Sequence, residues 1–141
     1  MPKVQLEPIY MNMAYEIAKL SYAKRRQVGC IVVKNHQIIS TGYNGTPHGF
    51  DNNCEIEDVT KHEVLHAESN ALMKIAKSTL SSEGSDMYIT TCPCFDCSKL
   101  IIQAGVKRVY YCEDYRDMSG IDLLKKAGII VEQLVVDRDG I

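Results

Sequence analysis

The chain has 141 residues, 45% hydrophobic and 24% charged, the usage of one globular domain spanning 1–141 rather than of a disordered segment or a string of domains. Sixteen lysines and arginines against eighteen acidic residues leave a formal net charge of −2, which argues against a partner held by its polyanionic backbone. No apolar run approaches the ~20 residues of a membrane span, and residues 1–10, with two prolines and Glu7, lack the apolar core of a signal peptide, so a cytoplasmic setting is expected.

Residues 9–23 place Ile9, Met13, Ile17 and Leu20 near helical spacing, with Ala14 and Ala18 beside them, and predict an opening amphipathic helix. Lys24, Arg25 and Arg26 then read as cations at its end, favoured by the helix dipole. Residues 28–33 and 38–43 are β-branched apolar runs around the polar turn 34–37, the pattern of a hairpin. The segment 42–49 holds three glycines and a proline, and 51–61 is polar and aperiodic, hence loop. A helix follows from His66, with Ala67, Ala71, Leu72 and Ile75 on one side; then come a strand at 87–91, a helix at 96–104 closed by Gly105, a strand at 106–111, a helix at 121–127 and a strand at 129–136. Helices alternating with short apolar strands predict a mixed sheet covered by helices.

Six cysteines, at 30, 54, 92, 94, 97 and 112, are the one disproportionate count. Without an export signal they are expected to stay reduced, which disfavours a disulfide framework. Cys30 and Cys112 lie in strand-like runs and read as small buried hydrophobes. Cys94 and Cys97 stand three apart at a predicted helix start, directly after a strand, so both sulfurs can reach one ion, and a helix N-terminus favours their thiolates. His66-Ala67-Glu68 stands at another helix start. One His and two Cys make three metal ligands, leaving a fourth position for water. Residues two apart on a regular helix diverge by about 200°, so His66 and Glu68 converge only if His66 sits at the very mouth of the helix. Taken singly, Cys-x-x-Cys is also a redox pair and His-x-Glu a common accident; together they match the zinc-deaminase pattern.

At these residues the chain resembles the cytidine/deoxycytidylate deaminase superfamily, from about Val28 to Leu134. It is most similar to the deoxycytidylate (dCMP) branch of phage and bacterial type, through Gln27-Val28-Gly29, Gly42-Tyr43-Asn44-Gly45-Thr46-Pro47, Leu65-His66-Ala67-Glu68, Cys92-Pro93-Cys94-Phe95-Asp96-Cys97 and Tyr111-Cys112-Glu113-Asp114-Tyr115. The resemblance implies a three-layer α/β/α fold, with a five-stranded mixed sheet and helices on both faces. It implies zinc on His66, Cys94 and Cys97, Glu68 as proton shuttle, and hydrolysis of dCMP to dUMP and ammonia, supplying dUMP for dTMP synthesis. Asn44 matches an Asn that binds the sugar hydroxyl, though as a turn residue it also suits positive φ. Tyr115 matches a substrate-contacting Tyr, with an exposed loop aromatic as the plainer reading, and Ala67, between His66 and Glu68, is expected to contact substrate as well.

Members of this branch are commonly hexamers activated by dCTP and inhibited by dTTP, with Mg2+ accompanying the triphosphate. Arg26 and Gly45 lie in the region of that effector site. Some phage relatives carry a second zinc. Here only Cys54 and His62 are available for one, so a single zinc per chain is expected, and His36 and His48 read as turn and loop residues. Two other readings stand beside this one: a deaminase of another cytosine nucleoside or nucleotide, of guanine or of tRNA adenosine, and a non-catalytic zinc module that would not need Glu68.

Overall fold

The computed structural model describes residues 5–137. The chain runs α1 (Leu6–Ala18), β1 (Gly29–Lys34), β2 (Gln37–Tyr43), β3 (Glu55–Ile56), β4 (Val59–Thr60), α2 (Ala67–Ala76), β5 (Asp86–Thr91), α3 (Phe95–Gln103), β6 (Arg108–Glu113), α4 (Ser119–Lys126) and β7 (Ile130–Gln133). Five strands form one sheet in the order β2-β1-β5-β6-β7. β1 pairs antiparallel with β2 and with β5, whereas β5–β6 and β6–β7 are parallel, so the sheet is mixed as expected.

Alternation along the three central strands sorts two cores. Ile31 and Val33, Tyr88, and Tyr110 and Cys112 point to one face, where they meet Met11 and Ala14 of α1. Cys30 and Val32, Met87 and Ile89, and Val109 and Tyr111 point to the other, against Ala71, Leu72 and Ile75 of α2, Ile101 of α3 and Leu124 of α4. The layers are therefore α/β/α, with α1 alone on one side and three helices on the other.

α1 corrects the sequence reading in two ways. Ile9, Met13 and Leu20 are exposed, while Met11, Ala14 and Ala18 are buried. The helix lies so close to β1 that a Cβ on Gly29 would stand 1.9 Å from the Ala14 carbonyl oxygen. Met11 and the small residues Ala14 and Ala18, not Ile9, Met13 and Leu20, make that face. The helix also stops at Ala18, well short of Lys24–Arg26, so those cations are not helix-end charges. Ser21 turns the chain instead, its hydroxyl donating to the Asn44 carbonyl at 2.8 Å and accepting from the Ala23 N–H at 3.1 Å.

Gly29→Ala is expected to cost about 3 kcal/mol, because backbone rather than a flexible side chain occupies the space. A urea unfolding series should show a lower midpoint at unchanged slope; a midpoint equal to wild type would exclude the close approach. Gly42 makes the matching contact on the opposite face, where a Cβ would stand 2.3 Å from the Ala67 carbonyl oxygen. That contact seats the first turn of α2 on β2.

The stretch 51–61, expected to be loop, contains the two-stranded pair β3–β4, turned by Glu57 and Asp58 at φ 51° and 64°. Two-residue strands are too short to show a period in sequence.

Candidate metal centre and active site

The C-terminal ends of the parallel strands β5 and β6 open on one edge of the sheet, where ligands gather in open α/β sheets. β5 runs into Cys92-Pro93-Cys94 and α3, and β6 into Asp114-Tyr115-Arg116. β1, antiparallel to β5, starts at this edge, and β2, antiparallel to β1, ends there, so Val28 and Asn44 come to the same edge.

His66 and Cys94 are both N-cap residues in extended conformation, at φ −79°, ψ 161° and φ −73°, ψ 171°. His66 thus stands at the mouth of α2, the condition that lets it share a site with Glu68. His66 Nδ1 lies 3.5 Å from Cys94 Sγ and 3.3 Å from Cys97 Sγ, and the three donor atoms fall within 4.8 Å of one another. A tetrahedral zinc with Zn–S of about 2.3 Å and Zn–N of about 2.0 Å separates sulfur from nitrogen by about 3.5 Å. The donor set and its spacing fit that ion. Among the described residues this is the single group of three such donors; Cys54 is buried and His62 exposed, and neither joins it.

The metal-free electrostatics already favour one thiolate. Hydrogen bonding from Cys97 and His66 holds the Cys94 thiol down to about 4, helped by the Cys97 backbone N–H, which donates to Sγ at 3.4 Å. The Cys97 thiol is pushed up, first by that same Cys94 contact and then by burial. His66 is raised chiefly by its bond to Cys94. Ligation of a metal here would displace the protons of these thiols and of the imidazole nitrogen.

Glu68 is 3% exposed in the first turn of α2, and burial pushes its carboxyl up to about 7. It shares a cavity of about 580 Å³ with His66, Ala67, Cys94, Asn44 and Tyr115. Ala67 is fully buried. The Asn44 side chain braces the chain beside it: Oδ1 accepts from the Val28 N–H at 2.9 Å and Nδ2 donates to the Arg26 carbonyl at 2.8 Å. Each group keeps one hydrogen-bonding valence for the cavity. Asn44 is not among the residues at positive φ, so the turn explanation for it falls.

Arg26 also lines the cavity, with Nη2 3.4 Å from Glu113 Oε1, while Tyr15 Oη donates to Glu113 Oε2 at 2.5 Å. Two cations stand near the Tyr115 ring, the Arg26 and Arg116 guanidiniums at 5.7 and 6.0 Å from its centroid. Gly45 is not on the cavity wall; it bridges Leu65, tying the end of β2 to the approach of α2.

Sequence reasoning missed Arg25, Arg116 and Glu55, all on this wall. Arg116 had a signal, one place beyond the singled-out Tyr115. Arg25 lost its signal to the overlong first helix, and Glu55 had none.

The family described as the cytidine and deoxycytidylate deaminase zinc-binding region matches residues 5–113. The deoxycytidylate deaminase of Saccharomyces cerevisiae is 36% identical over 88% of this chain, which spans only 43% of that protein's length. The deoxycytidylate deaminase of enterobacteria phage T4 is 32% identical over 86% of each chain. A crystal structure of dCMP deaminase from the cyanophage S-TIM5, in complex with dCMP and dUMP, superposes with a TM-score of 0.91 at 50% identity, covering 95% of this chain and 100% of that one.

Proposed function

The chain belongs to the cytidine and deoxycytidylate deaminase family, and from that membership and its site we propose that it hydrolyses dCMP to dUMP and ammonia as a single domain. The observation that carries this reading is the buried Glu68 carboxylate in one cavity with His66 and Cys94 of the metal-capable cluster and with three arginines on its wall, Arg25, Arg26 and Arg116. A zinc module that merely pinned helices would have no use for that carboxylate.

When bound by His66, Cys94 and Cys97, zinc supplies Lewis-acid activation of a water near neutral pH. Glu68 accepts one proton from the water as the water oxygen attacks C4, and passes it to ring N3. It then takes the second proton from the C4 hydroxyl and gives it to the exocyclic amine, so that the C4–N bond breaks, the C4 carbonyl of dUMP forms and ammonia leaves. A carboxyl raised by burial is poised to do both near neutrality. Asn44 uses its remaining valences on the sugar hydroxyl, Ala67 lines the base pocket, and Tyr115 closes the wall beside the two arginines. The guanidiniums match a phosphate monoester, for which Arg is suited by its forked donors.

Ammonia release should be faster from dCMP than from deoxycytidine by about a hundredfold or more in kcat/KM, since the phosphate alone meets the arginines. Equal turnover of the two would sink the phosphate reading. Running dCMP, dCTP, deoxycytidine and CMP with and without dTTP extends the same experiment to control by dCTP and dTTP with Mg2+, which this reading attaches to the loop of Gly45. Apolar side chains left exposed on several elements, among them Ile56, Val59, Phe95 and Leu100, support self-association, and a hexamer is the assembly we propose. Six unpaired cysteines suit a reducing cytoplasm, where dUMP serves dTMP synthesis. Among the described residues no helix is long and apolar enough to cross a membrane.

A further inference from the structure

The segment 21–28 joins α1 to β1 without helix or strand. An irregular segment takes its course from side chains that satisfy its backbone groups. Asn44 clamps its later end through Val28 and Arg26. Glu55 clamps its earlier end: Oε2 accepts from the Lys24 N–H at 2.9 Å and from the Arg25 N–H at 3.2 Å. Arg25 and Arg26, both on the cavity wall, stand between these two clamps.

Glu55 is 8% exposed, and burying a carboxylate is costly unless it is hydrogen-bonded. It belongs to β3, which pairs with β4 alone, apart from the five-stranded sheet, and its bonded oxygen, Oε2, is spent on the Lys24 and Arg25 N–H groups. The side chain it buries thus supports the arginine segment rather than the core.

We propose that Glu55 is a positioning residue: by fixing the Lys24–Arg25 backbone it aims the guanidiniums that meet the substrate's 5′-phosphate, and so sets phosphate affinity more than the chemical step. This rests on the dCMP reading above. Glu55→Gln keeps the shape and one acceptor oxygen without the charge, and Glu55→Ala removes both.

With zinc content and melting transition intact, Glu55→Ala is expected to raise KM for dCMP and Kd for dUMP about tenfold, the loss falling on KM more than on kcat. Affinity for deoxyuridine, which lacks the phosphate, should stay within about twofold, and Glu55→Gln should fall between. In an Arg25→Ala background the effect of Glu55→Ala should shrink, because the guanidinium that Glu55 aims through the Arg25 backbone is gone. An equal loss on dUMP and deoxyuridine, or full additivity with Arg25→Ala, would overturn the proposal. So would loss of zinc or of cooperative melting in Glu55→Gln, which would assign Glu55 to the fold. A wild-type protein that binds dUMP no better than deoxyuridine defeats the phosphate reading and this proposal with it. A wild type that prefers dUMP, with that preference unchanged in Glu55→Ala, defeats the positioning role alone.

Discussion

Glu68→Gln keeps its zinc, melts no lower than wild type, and loses turnover by about a thousandfold or more, within the range that a positioned acid/base contributes. The amide has nearly the volume of the carboxyl, so the packing around a side chain 3% exposed is preserved. It cannot accept a proton from water and hand it on to a ring nitrogen. The stability half of the expectation has its own cause. Burial is the largest influence on this carboxyl and disfavours its charge, so the neutral amide relieves a cost of folding instead of adding one. Ammonia release on dCMP, zinc per chain and a thermal melt together test it. Substantial turnover by the variant would remove Glu68 from the chemistry, and loss of zinc would make it part of the metal centre.

What the sequence made legible follows a physical division. His66, Cys94 and Cys97 were readable because each depends on a local event, a helix start, and two of them on a three-residue spacing that fixes relative direction. The central strands were readable because a strand buried on both faces is a short continuous apolar run, as at 29–34 and 108–113. α1 was misread because apolar size was taken for burial. Its buried face is built from Ala14 and Ala18 against a glycine, a contact written half in the helix and half in β1. Adding Leu20 to that stripe lengthened the helix and relabelled Arg25 and Arg26 as dipole-favoured cations. Glu55 lay beyond sequence altogether. Its partners are the backbone N–H groups of Lys24 and Arg25, thirty residues or so away, and every non-proline residue carries such a donor, so the pairing leaves no trace in residue type.

The second large effect separates the three clustered cysteines by position. Cys94→Ser should lose both zinc and activity, whereas Cys92→Ser should keep both. Cys94 caps α3, accepts the Cys97 N–H at its sulfur, and stands 3.5 Å from His66 Nδ1, so it is the thiolate already prepared for the ion. A serine hydroxyl keeps the cap but is a poor ligand, since it does not ionise near neutral pH and lacks a soft donor. Cys92 lies only two residues earlier, yet its sulfur faces Met118 Sδ at 3.7 Å and takes no part in the cluster. Stability gives a readout independent of turnover. A ligand present at a thousand times its Kd stabilises the native chain by about 4 kcal/mol, and a site weakened a hundredfold keeps about 1.4 kcal/mol at the same zinc concentration. Chelator should therefore lower the melting temperature of wild type and of Cys92→Ser by similar amounts, and that of Cys94→Ser by far less. A Cys94→Ser protein that retained one zinc per chain through dialysis and melted with the full chelator response would place the metal elsewhere, and with it the water that Glu68 is there to deprotonate.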